Sequence, residues 1–133
     1  MEAITKRKIE RFASKCQRLL KLSDLRLSIT WDRCLESNNL AEVRVEKDTI
    51  VLSLDEPRML NPVSVPGIVI LHEMVHASQW SYRRFVQHMD PPDAAWHLFQ
   101  DLFEQQAERT ARTLRECLIA SGEWPKWGGE DEA

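Results

Sequence analysis

VILHEMVHASQW occupies residues 69–80, and the reading of this stretch decides what kind of chain this is. Two histidines and a glutamate stand inside an otherwise apolar run. On a helix, positions four apart share a face, so His72 and His76 present their imidazoles together, with Glu73 one position round. Ile68, Val69, Ile70 and Leu71 precede the pair, and Met74 and Val75 lie on the opposite face, which predicts a buried helix. Ionisable groups are costly to bury unpaired. The two imidazoles are therefore either core residues satisfied by backbone carbonyls or ligands converging on a divalent cation. The H-E-x-x-H spacing points to the second, with His72 and His76 holding the ion. Glu73 then moves protons during attack of water on a carbonyl. Nitrogen and oxygen donors suit Zn2+, and cobalt, nickel or manganese could occupy the same set.

Working outward, this helix is expected to begin near Ser64 and Pro66, with Ser64 as its cap and Pro66 in its first turn, and to run to about Gln87. HMDPPD (88–93) breaks it. Asp90 is expected to cap a third helix with Pro91 at its first position, running to about Ala120 and ended by Gly122. The apolar stripe of that helix is Trp96, Phe99, Phe103, Ala107, Thr110, Leu114 and Leu118.

If the two helices form an antiparallel hairpin, His76 and His72 lie roughly 16 and 22 Å from the turn, and Glu104 roughly 20 Å along the returning helix. Glu104 then comes level with the gap between the histidines and is the expected third ligand. His97 falls short and stays as an alternative ligand. Glu108 overshoots by about a turn and suits a supporting hydrogen bond to a ligand histidine. A donor for a developing oxyanion is also needed. Tyr82, His88 and His97 are the candidates, without a motif behind any of them.

The remaining chain frames this pair. Residues 3–22 predict a helix whose stripe is Ile4, Ile9, Phe12, Ala13, Cys16, Leu19 and Leu20, with basic residues lying mostly off it. LRLSITW (25–31) and LAEVRVE (40–46) alternate, whereas TIVLSL (49–54) is more continuously apolar. Lys47 and Asp48 would close a hairpin between the last two. DEPRMLNPVSVPG (55–67) reads as a Pro-rich connection. Strands cluster instead of alternating with helices, which predicts an α+β fold with a small, mostly antiparallel three-stranded sheet. One domain is expected over residues 1–122, with a loosely ordered tail over 123–133 that Trp124 and Trp127 could pin in part.

The totals agree with a single domain: 133 residues, 43% hydrophobic and 29% charged. A net charge of −3 gives no general argument for nucleic acid. The first 22 residues differ, setting Lys6, Arg7, Lys8, Arg11, Lys15, Arg18 and Lys21 against Glu2 and Glu10. They form either a solvated helix face or a docking surface for an anionic partner such as nucleic acid. Cys16, Cys34 and Cys117 are odd in number and widely spaced, which predicts reduced thiols and a cytoplasmic location. No apolar run is long enough to span a membrane, and the charged N-terminus is unlike a signal peptide.

HEMVHA (72–77) with EQQAE (104–108) resembles the zincin metallopeptidases, specifically their compact, glutamate-ligand (gluzincin-like) group. The resemblance covers most of residues 25–115, with about ten specific positions. It implies a minimal zincin-like fold, Glu104 as third ligand and Glu108 as supporting acid. Gln79 and Tyr82 stand where the metzincin pattern has its glycine and third histidine, which excludes that subclass. HEMVHA also looks like the motif of SprT-like proteases, which act near DNA, but those use a third histidine. The glutamate pattern is similar to the ImmA/IrrE-type peptidases, and the chain resembles a stripped-down phage-type domain. What the resemblance implies is a zinc endopeptidase acting on a protein or peptide in extended conformation, laid along TIVLSL. A metal-holding zincin that cuts nothing and a DNA-associated protease are the other two classes.

Overall fold

In a computed structural model, residues 3–33, 35 and 39–127 are described. Cys34 and residues 128–133 of the expected tail lie outside them. Helix α1 (Lys6–Leu19) starts where the Thr5 hydroxyl accepts the Lys8 N–H. Its stripe buries Ile9, Phe12, Ala13 and Cys16, while Leu19 stays exposed.

Three strands follow, β1 (Arg26–Asp32), β2 (Ala41–Glu46) and β3 (Thr49–Asp55), in the spatial order β1-β3-β2. β2 and β3 form the expected antiparallel hairpin around Lys47 and Asp48, with Lys47 in the left-handed conformation at φ 56°. β1, however, runs parallel to β3. The sheet is thus mixed, and the expectation of a mostly antiparallel one is corrected. The reason lies in the strands' own composition. TIVLSL is apolar enough for the central place, whereas the two alternating strands suit edges. The hairpin returns β3 between its partners, which leaves β1 and β2 at opposite edges.

Register puts Leu27, Ile29 and Trp31 of β1 and Val45, Val43 and Ala41 of β2 beside Ile50, Leu52 and Leu54 of β3 on one face. That face joins α1 and α3 in a single core. The other face carries Ser28, Thr30, Glu42, Arg44, Val51 and Ser53, and is mostly polar.

The Pro-rich connection contains a short helix, α2 (Glu56–Met59), and a 3-10 turn (Pro62–Ser64). Helix α3 (Pro66–His88) then begins with Pro66 in its first turn. Ser64 is not its cap, because that hydroxyl donates to the Arg58 and Asn61 carbonyls; Val65 takes the cap position at φ 48°. Asp90 does not cap α4 either. It takes the left-handed conformation after α3, and Pro92 precedes α4 (Asp93–Ala120). Gly122, at φ 75°, follows the end of α4 and donates its N–H to the Ile119 carbonyl.

α3 packs on β2 and α1, and α4 packs on α3. Of the stripe expected on α4, Ala107 and Leu118 are buried and Leu114 packs beside the core, while Phe99 is exposed. Residues 123–127, expected as the start of a loose tail, return to the body. Trp124 and Trp127 are buried, each edge-on to Phe12. The architecture is α+β, and no helix among the described residues is long and apolar enough to cross a membrane.

Candidate metal centre

The site is assembled by two helices. Ile70, Leu71, Met74 and Val75 anchor α3 in the core. That anchoring turns His72 and His76 toward α4, where Glu104 meets them. The Nε2 atoms of His72 and His76 are 3.0 Å apart. Glu104 places Oε1 3.4 Å from the first and Oε2 3.3 Å from the second. A tetrahedral ion with bonds of about 2.0–2.2 Å has ligand-to-ligand edges of about 3.3–3.6 Å, and one donor atom from each of the three residues lies within 4.8 Å of the others. The donor set is two imidazoles and one carboxylate, which is suitable for a divalent transition metal. His72, His76 and Glu104 therefore form a group that could hold a metal ion.

Their surroundings set the charges. His76 is the more enclosed histidine, and burial holds its pKa below the usual range, aided by His72 and Arg83 and opposed by Glu104. A neutral ring with a free lone pair is the form that binds a metal. Glu73 points into a pocket formed with Asn39, Ala41, Glu42, Val43, His76, Trp80, Arg83 and Glu104. Burial, with the negative charges of Glu104 and Glu42 nearby, pushes its pKa up to about 7. Its Oε2 is buried and has no protein hydrogen-bond partner. Glu73 thus stands beside the ligand triangle without belonging to it.

Glu108 and His72 line a second cavity, with Ile68, Leu71, Ala111, Arg112 and Arg115. This puts Glu108 on the His72 side of the site. His97 is exposed near the start of α4, roughly 10 Å along the helix from Glu104, and it does not join the triangle. His88 is the exposed last residue of α3. Tyr82 is 71% exposed and lines a different pocket, with Val75, Ser78, Gln79, Phe103, Gln106 and Thr110. None of the three expected oxyanion donors reaches the pocket that holds Glu73.

Two donors that were not foreseen do line it. Arg83 carries a permanent cation, and Trp80 has an indole Nε1–H that is buried without a partner. The signal was present in the chain. Positions 72, 76, 80 and 83 follow one another on one helical stripe, so whatever stands at 80 and 83 faces the same side as the ligands.

The expected substrate strand also changes. Both edges of β3 are hydrogen-bonded to neighbours, so TIVLSL has no edge to offer. β2 pairs only with β3 among the described residues, and its Ala41, Glu42 and Val43 line the Glu73 pocket. On α1, the basic residues Arg7, Arg11, Lys15 and Arg18 share a surface hollow with Glu10 and Ser14. Comparison with models of protein families, with curated proteins and with solved structures finds no match to this chain.

Proposed function

We propose that the chain is a zinc-dependent endopeptidase of zincin type, with His72, His76 and Glu104 as ligands and Glu73 as general base. The observation that carries this reading is the convergence of the two histidine Nε2 atoms, 3.0 Å apart, with the Glu104 carboxylate, whose two oxygens lie 3.4 and 3.3 Å from them, beside a separate buried carboxylate in the adjoining pocket. Bound zinc would supply Lewis acidity, polarising the scissile carbonyl and bringing the pKa of a water to about 7. Glu73 accepts the proton of the attacking water and delivers it to the leaving amine, a role open to a carboxylate that lines the adjoining pocket without holding the ion itself. Arg83 and the Trp80 indole N–H hold the developing negative charge on the carbonyl oxygen, where buried donors are worth several kcal/mol.

The substrate is a protein segment in extended conformation. It adds to the open edge of β2 through main-chain hydrogen bonds, which favours unfolded loops and tails over a particular side chain. The test loads purified protein with zinc and follows an unfolded protein and a mixed peptide library by mass spectrometry. Peptide products should appear with the wild type. Glu73→Gln should bind zinc equally and lower cleavage by at least about a hundredfold. Zinc-loaded wild type that releases no product, or a Glu73→Gln variant that cuts as well, removes the peptidase reading.

A further inference from the structure

We propose that Gln79 is a positioning residue of the metal centre, accepting the Nδ1–H of His76 through its Oε1 and so directing the His76 Nε2 lone pair at the ion. This rests on the metal-site reading above and adds to it a residue that the H-E-x-x-H pattern does not contain. Gln79 is 6% exposed, unusual for a long polar amide. Its Nε2 donates to the Phe103 carbonyl at 3.0 Å and to Gln106 Oε1 at 3.3 Å. A backbone carbonyl can only accept, so the bond to Phe103 fixes which end of the Gln79 amide is the NH2 group. Oε1 is thereby turned the other way.

Two buried side-chain atoms on this stretch of α3 have no hydrogen-bond partner, Gln79 Oε1 and His76 Nδ1. One can only accept, and the other can donate. They sit three residues apart on α3, the spacing that brings side chains together. Metal-bound histidines commonly donate their second N–H to such an acceptor, which selects the tautomer and the ring orientation. Phe103 immediately precedes Glu104. One amide therefore reads the position of α4 at the third ligand and transmits it to the second.

The test uses the full chain. In the metal-free wild type at pH 8, long-range proton–nitrogen NMR should show His76 as the single Nδ1–H tautomer. Gln79→Met keeps the bulk and removes both polar ends. It should lose that single tautomer and weaken zinc binding, measured by competition with a chromophoric chelator, about 10–100-fold. Cobalt-loaded protein should change its visible spectrum in the same variant. Gln79→Glu keeps an acceptor and should retain both the Nδ1–H tautomer and tight zinc binding. It also serves as the deciding variant if Gln79→Met does not fold.

An Nε2–H tautomer in the wild type or in Gln79→Glu overturns the assignment, as does unchanged zinc affinity in folded Gln79→Met. Failure of the wild type to bind zinc at all would remove the metal reading instead, and the tautomer would still decide the role of Gln79.

Discussion

At the scale of single residues, the centre makes two carboxylates behave differently. Glu104 is half exposed and faces two imidazoles, whereas Glu73 is enclosed beside like charges. Because the folded-state pKa of Glu73 is raised, protonation of this group favours the metal-free fold. That contribution is fully present below the unfolded value near 4.3 and is lost as pH rises through about 7. Glu73→Gln is neutral throughout. In metal-free protein at pH 8 it should be more stable than the wild type, by up to about 3 kcal/mol, and the difference should vanish near pH 4. Urea melts at the two pH values check this; equal stability at pH 8 would mean that the carboxylate is better solvated than its burial implies. For Glu104, the comparison that matters is with His97. Glu104→Ala should weaken zinc binding by orders of magnitude, while His97→Ala should leave it unchanged, both read by equilibrium dialysis. The reverse pattern would hand the third position to the histidine.

At the scale of elements, the entry to α3 holds a conflict. Val65 is β-branched and sits at φ 48°, ψ 62°, a region that costs such residues about 1–3 kcal/mol. Asn tolerates it better, so Val65→Asn should raise the melting temperature by a few degrees without moving the metal affinity. A lowered melting temperature would show that the Val65 side chain contributes more than its backbone costs. The same junction marks how far local reading reaches. The helical periods of α1, α3 and α4, the turn at Lys47 and Asp48, and the stop at Gly122 are written in short-range spacing, and they can be read without neighbours. The level of Glu104 between His72 and His76 follows from rise per residue once a hairpin is assumed. Ser64 and Asp90 resemble caps in isolation, yet the Ser64 hydroxyl is taken by the Asn61 and Arg58 carbonyls, three and six residues back, and Asp90 adopts a left-handed conformation. The parallel partnership of β1 with β3 depends on which strand takes the centre, a global choice with no local signature. The candidate substrate edge moves from β3 to β2 for the same reason.

For the whole molecule, packing is unevenly shared. The sheet, α1 and α3 enclose the core, and Phe12 receives Trp124 and Trp127 beside it. α4 is 28 residues long, yet only Ala107 and Leu118 are buried within it. Its first half, residues 93–106, therefore has little apolar burial to hold it against α3. What does hold it is polar: the Gln79 bonds to Phe103 and Gln106, and the meeting of Glu104 with the two histidines. A cation shared by α3 and α4 would act as a staple at this level. A ligand at a thousand times its dissociation constant adds about 4 kcal/mol to the state that binds it. Hydrogen exchange should show the consequence in a definite place. On removing metal with a chelator, amides of residues 93–106 should exchange at least about tenfold faster, whereas β3 and the 68–75 segment of α3 should change little, because their protection comes from the core. Restoring zinc should reverse the change in the wild type and leave Glu104→Ala unprotected. Acceleration spread evenly over the sheet and all helices would mean that the ion stabilises the core as a unit. No change anywhere would mean that α4 is held by its contacts with α3 alone.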